Sequence, residues 1–128
     1  MEIQRSQIRQ YTNGEIFTPV ELVTEILDEL PTAYFTDASK TICEPCVGEG
    51  IFLVEILKRR IAQGLSPTES LLSLYGVDLM EDNVRVCKKN LLEVVGYSPE
   101  HRDIVNTNIV CADALEYDFN FEREENDC

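Results

Sequence analysis

Apolar residues along this chain recur in two alternating rhythms, one helical and one strand-like. Val23, Ile26, Leu27 and Leu30 return at helical spacing, the stripe of an amphipathic helix. Ahead of them Thr18-Pro19-Val20-Glu21 has the form of a capping box: Thr18 at the N-cap, Pro19 at the first helical position, where a missing N–H costs nothing, and Glu21 two residues on. Pro31 closes that element. Residues 1 to 16 are polar with a turn at Asn13-Gly14, and Pro31 to Lys40 is expected to be a connecting loop.

A short β-prone run from Thr41 to Glu44 follows, stopped by Pro45. A helix is predicted from about Gly50 to Gln63, with Leu53, Ile56, Leu57 and Ile61 on one face. Gly64 is its stop, and Lys58-Arg59-Arg60 lie in the last turns, where the helix dipole favours cations. Residues 64 to 72 read as a loop with at most a short turn. Leu74 to Asp78 reads as a second strand. Glu81 to Val95 reads as a second crossover helix, striped by Val84, Cys87, Leu91 and Val95 and capped by Gly96. A polar loop with the lone His101 then leads to a third strand, Asn108 to Ala112, which delivers Asp113 to its end.

A helix followed by β-α-β-α-β calls for right-handed crossovers between parallel strands. Ligands of such sheets bind beyond the carboxyl ends of the strands. Glu44, Asp78 and Asp113 each stand at or just after such an end, and Gly48 and Gly50 sit between a strand and a helix, where the backbone must turn tightly. In order along the chain come Phe17-Thr18-Pro19, then Glu44-Pro45-Cys46-Val47-Gly48-Glu49-Gly50, then Gly76-Val77-Asp78, then Asp113. This succession resembles the S-adenosylmethionine (AdoMet) half of the N6-adenine DNA methyltransferases, over residues 16 to about 118.

The resemblance implies an α/β, truncated Rossmann-like, AdoMet-dependent methyltransferase fold. Its parallel sheet would have three strands in the order 3-2-1, with an N-terminal helix and two crossover helices. It also implies the cofactor contacts. Glu44 is expected near the methionine ammonium, Pro45 in the cofactor loop, and Gly48 and Gly50 where the backbone approaches the ligand. Asp78 is expected on the ribose hydroxyls, Leu79 on one face of the adenine, Asp113 on the adenine N6, and Thr18 on the methionine carboxylate.

Two departures stand out. Glu44 replaces the more usual Asp, and no Pro occurs after Pro99, so the family's catalytic Asn/Asp-Pro-Pro-Tyr/Phe motif is absent from these residues. No catalytic residue is therefore assigned, and the chain alone is expected to be inactive, its catalytic half coming from elsewhere. The alternative is a non-catalytic AdoMet-binding or acidic interaction protein derived from a methyltransferase.

Composition narrows this further. The 128 residues, 44% hydrophobic, suffice for one domain, expected over 1 to 118, with 119 to 128 as an acidic tail. No apolar run approaches the ~20 residues of a membrane span and no signal-peptide core opens the chain, so a cytoplasmic, membrane-free protein is expected. The formal net charge of −13 opposes phosphate contact, which leaves DNA to be reached only through a partner.

Five irregularly spaced cysteines make a disulfide framework improbable. Cys43-x-x-Cys46 encloses Glu-Pro and runs into the glycine loop, unlike a redox motif, and zinc would need a second pair. A nicotinamide site would want glycine where Leu53 stands. No metal site is assigned. Finally, Ile42-Cys43, Leu74-Tyr75-Val77 and Ile109-Val110-Cys111 are apolar on both sides of the pleat, as in sheets covered on both faces. The uncovered face and the free edge of the first strand point to a homodimer or to a complex with a complementary methyltransferase half. The alternative is that Phe119 and Phe121 fold back over that face.

Overall fold

Three short strands in parallel form the sheet. The computed structural model describes residues 19 to 121; Thr18 and residues 122 to 128 of the acidic tail lie outside the described residues. In chain order the elements are α1 (Val20–Asp28), α2 (Ala33–Thr36), β1 (Ile42–Glu44), α3 (Ile51–Ala62), α4 (Pro67–Leu72), β2 (Leu74–Asp78), α5 (Glu81–Val95), α6 (Pro99–Asn108) and β3 (Ile109–Cys111). The strands run β1-β2-β3 across the sheet, with Cys43 opposite Tyr75 and Val77 opposite Val110. This is the expected α/β fold with the expected strand order.

Alternation along the strands sorts their side chains onto two faces. Ile42, Leu74 and Ile109 turn toward the helices, where they meet a core of Leu53, Leu57, Leu71, Cys87, Leu91 and Val105. Cys43, Tyr75, Val77 and Val110 point the other way. Phe121 lies against that second face, its ring 4.8 Å from Tyr75 and 5.3 Å from Tyr117, and its N–H donates to the Tyr117 hydroxyl at 3.1 Å. Phe119 and Phe121 both adopt left-handed backbone, at φ 60° and 51°, a conformation that costs about 1 kcal/mol or more for such residues. The ring contacts hold the segment in that shape.

The structure departs from the sequence expectations in its minor helices and in one cation. The stretch from Pro31 to Lys40 contains α2, residues 64 to 72 contain α4, and the polar loop around His101 is the ten-residue helix α6. Both α4 and α6 begin with Ser-Pro: the Ser66 hydroxyl accepts from the Glu69 N–H at 3.2 Å, and the Ser98 hydroxyl from the His101 N–H at 3.0 Å. These are N-caps with proline at the first helical position. His101 bridges the two helices, with Thr68 2.8 Å from Nε2 and the Gly96 carbonyl 2.9 Å from Nδ1. Pro19, placed by the sequence at the first helical position of α1, stands instead at its N-cap, and α1 ends at Asp28 rather than at Pro31. Val23 and Leu27 of its stripe are buried, but Ile26 faces solvent.

Arg60, read as a dipole-complementing cation, is completely buried. Its Nε donates to the Tyr34 carbonyl at 2.8 Å, and its Nη2 to the Lys40 carbonyl at 2.6 Å. Its Nη1 donates to the Ser70 carbonyl at 2.9 Å and to the Ser73 hydroxyl at 2.7 Å. Ser73 in turn donates to the Ala38 carbonyl at 2.6 Å. One guanidinium thus fastens α2, the entry to β1, α4 and the entry to β2, and its planar fork satisfies carbonyls that those turns leave unpaired. Arg60→Met keeps the aliphatic stem but strands these acceptors. It should cost about 2 to 4 kcal/mol in urea unfolding; a loss below about 1 kcal/mol would show that water replaces the fork.

Candidate functional site

At the carboxyl ends of the strands the chain builds a second polar cluster, this one around a carboxylate. β1 ends at Glu44 because Pro45 has no N–H to continue the ladder. The turn that follows is pinned to β2 by the Val47 N–H, which donates to the Val77 carbonyl at 2.8 Å. Gly48 and Gly50 take left-handed φ values of 57° and 86°, and Gly50 caps α3. Their reasons differ. A Cβ on Gly50 would lie 2.6 Å from the Cys87 sulfur, so this glycine lets the turn press against α5, whereas a Cβ on Gly48 would meet nothing within 4 Å. Gly48 is required for its backbone angle, and the space above it is open.

Asp78 ends β2 and holds the turn. Its Oδ1 accepts from the Gly48 N–H at 3.1 Å, and its Oδ2 from the Met80 N–H at 2.9 Å and from the Asn83 amide at 3.0 Å. Asn83 is buried in the first turn of α5. Further along that helix the Asn90 amide donates to the Glu49 carbonyl at 3.0 Å. Neither asparagine was picked out by the sequence analysis. The available signal was a polar side chain on the otherwise apolar stripe of α5, five residues after the acid.

Glu44 faces the same space from β1. Its Oε1 is buried without a hydrogen-bond partner among the described residues. Burial, reinforced by the Asp78 charge, pushes its carboxyl up to about 8 from an ordinary 4.5. The same surroundings raise the buried Cys87 thiol to about 12, chiefly through burial and then through the charges of Glu44 and Asp78.

Seven of the eight residues proposed from the sequence therefore come to one end of the sheet. Gly48 is hydrogen-bonded to Asp78, Gly50 presses on Cys87, and the Glu44 carboxyl feels the Asp78 charge. Pro45 is exposed beside it, and Leu79, next to Asp78, is 66% exposed for a large apolar side chain. Asp113 stands two residues beyond β3, exposed, its Oδ1 accepting from the Leu115 N–H at 3.0 Å. The ends of β2 and β3 are tied by the Ala112 N–H on the Asp78 carbonyl at 3.0 Å. Thr18, the eighth, lies outside the described residues. Among the described residues no group of three or more His, Cys, Asp or Glu side chains is arranged to hold a metal ion, and no helix is long and apolar enough to cross a membrane.

A parallel α/β sheet with a glycine turn after its first strand and acids at the ends of its strands belongs to the Rossmann-like class. Within that class the chain belongs to the N-6 DNA methylase family, whose model matches residues 4 to 126. It is similar to a Type II methyltransferase, M.VspI, of Vibrio sp. (strain 343), with 32% identity over 111 residues, covering 82% of this chain and 24% of that protein. The chain thus spans about a quarter of the length of this curated relative. No solved structure matches it.

The proton on Glu44 makes stability depend on pH in a definite sense. Unfolded, Glu44 ionises near 4.5; folded, near 8. The native state therefore holds the extra proton between those values, and its stability falls as pH rises from about 5 to about 8. Glu44→Gln should flatten that fall and raise the melting temperature at pH 8 by several degrees. Parallel melting curves for the two proteins between pH 5 and 8.5 would contradict it.

Proposed function

We propose that this chain carries the AdoMet-binding portion of an N6-adenine DNA methyltransferase. The observation that supports this most directly is the unpartnered, buried Oε1 of Glu44 beside Asp78, under a glycine turn with open space above Gly48. A buried acceptor without a donor is costly, and a ligand that brings a cation relieves it. AdoMet supplies a methyl group on a sulfonium, next to an amino-acid ammonium.

In this reading Glu44 takes the ammonium, Pro45, Gly48 and Gly50 shape the turn around the ligand, and Asp78 takes the ribose hydroxyls. Leu79 offers its exposed apolar side chain to one face of the adenine, Asp113 accepts from N6, and Thr18 binds the methionine carboxylate. Asp78 already accepts three N–H bonds, and a carboxylate offers about four acceptor sites. Ribose binding thus shares Asp78 with the turn itself. Asp78→Ala should then weaken AdoMet binding, expected in the micromolar range or weaker, by roughly 1 to 3 kcal/mol. Calorimetry showing no AdoMet binding at millimolar ligand, or an unchanged affinity in the variant, would remove the assignment.

Methyl transfer by these residues alone is not part of the proposal. They contain no Asn/Asp-Pro-Pro-Tyr/Phe motif, and their net charge of −13 disfavours phosphate contact, so DNA is to be reached through a partner. That same charge favours, as a second reading, an acidic AdoMet-binding or interaction protein without catalysis. Tritium from labelled AdoMet should not appear in DNA incubated with the purified chain. Its appearance on adding a polypeptide that bears the missing motif selects the methyltransferase reading over the second one.

The partner is proposed to be a second copy of the chain or a complementary methyltransferase half, seated along β1, which among the described residues pairs with β2 on one side only. The setting is a cytoplasmic restriction-modification system. Light scattering at tens of micromolar should report a mass above that of the monomer. A clean monomer would mean that the contact of Phe121 with Tyr75 is cover enough.

A further inference from the structure

Two carboxyl groups share the candidate site, and the structure treats them unequally. Asp78 accepts N–H bonds from Gly48, Met80 and Asn83, whereas Glu44 keeps a buried oxygen with no partner among the described residues. None of the titratable groups around Glu44 among the described residues brings a positive charge to relieve it. From β2 comes the Asp78 carboxylate, from α5 the buried Cys87 thiol, and from β1 itself the Cys43 thiol, whose own ionisation is opposed by burial and by Glu44. Lys88, the neighbouring cation on α5, acts on Cys87 and Cys111 and is not among the groups that set the ionisation of Glu44.

Resting on the AdoMet reading above, we propose that binding at this site is proton-coupled: a cationic group of the ligand enters against Glu44 Oε1 and drives one proton from that carboxyl to solvent. The O–H bond of the acid breaks heterolytically, the proton goes to buffer, and the carboxylate left behind forms an ion pair with the ligand. No covalent bond to the ligand is made. The ligand-free site is then neutral at Glu44 and negative at Asp78, which avoids two adjacent buried charges. The bound site is ionised at both, with the ligand's positive charge against Glu44. The coupling makes cofactor affinity a function of pH, so a drop in pH releases the ligand before it unfolds the protein.

The test is calorimetry of AdoMet binding at pH 7 in phosphate and in Tris, whose different ionisation enthalpies reveal the protons exchanged. With Glu44 titrating near 8 in the free protein, wild type should release about 0.9 proton per AdoMet bound, and affinity should rise close to tenfold per pH unit from about pH 6 to 7.5. Glu44→Gln, checked for folding by circular dichroism, keeps whatever proton exchange the ligand's own amine contributes and should lose the rest. Carbon-13 spectra of glutamate-labelled wild type give the same answer without a substitution. One carboxyl should titrate near pH 8 when free and below about 6 with AdoMet bound. Binding with equal proton release in both proteins, or with every glutamate titrating in the ordinary range, overturns the coupling and leaves the AdoMet assignment standing. No AdoMet binding anywhere between pH 6 and 9 overturns both.

Discussion

The hydrogen bond from the Gly48 amide to the Asp78 carboxylate is the constraint on which the rest of the site depends. It joins the glycine turn after β1 to the end of β2 at 3.1 Å, across thirty residues of chain, and it fixes where Gly50 begins α3. Without an acceptor at Asp78, the Gly48 and Met80 N–H groups and the Asn83 amide would each lose a partner. The turn would then have little to hold its left-handed glycines in place. The close approach of Gly50 to Cys87 makes the same demand from the helix side, because a turn that drifts would open the packing of α3 on α5.

The two ends of the sheet are fastened by opposite charges and in opposite styles. At the amino ends the buried Arg60 spends its guanidinium on carbonyls and a hydroxyl, and the Ser70 hydroxyl beside them is buried without a partner among the described residues. At the carboxyl ends Asp78 is satisfied but Glu44 is not. The Arg60 cluster makes structural sense alone, as the knot that sets the entry to β1 and β2. In the proposed reading a ligand's cation answers the carboxyl oxygen that Glu44 keeps buried. What differs between the ends is the group left over, a hydroxyl beside Arg60 and a carboxyl oxygen beside Asp78.

Much of this was legible in the sequence. The three strands and the two crossover helices follow from β-prone runs and helical stripes that are interrupted by proline and glycine, and β2 and α5 fall on the residues expected. The placement of Glu44, Gly48, Gly50, Asp78, Leu79 and Asp113 at one end of the sheet follows from the same reading, because a parallel sheet sends every strand end the same way. The α6 helix was missed because its apolar content is thin: Ile104 and Val105 are buried with Asn108, whose amide donates to the Leu72 and Leu74 carbonyls. Its Ser98-Pro99 start, and that of α4 at Ser66-Pro67, carried the same capping signal that was read at Thr18-Pro19. Arg60 was not legible, since nothing local distinguishes it from Lys58 and Arg59, and its partners lie 10 to 26 residues away. The unequal lot of Glu44 and Asp78 likewise depends on which amide each meets in space.

The most direct measurement is a nitrogen-15 amide spectrum of the chain titrated with AdoMet. Shifts concentrated at Gly48, Glu49, Gly50, Leu79, Met80 and Asp113, with the amides around Arg60 unmoved, are the expected result. Shifts confined to the groove between α3 and α5 lined by Ile51, Val54, Asn90 and Val94, or no shifts at saturating ligand, would contradict the placement of the cofactor at the carboxyl ends of the strands.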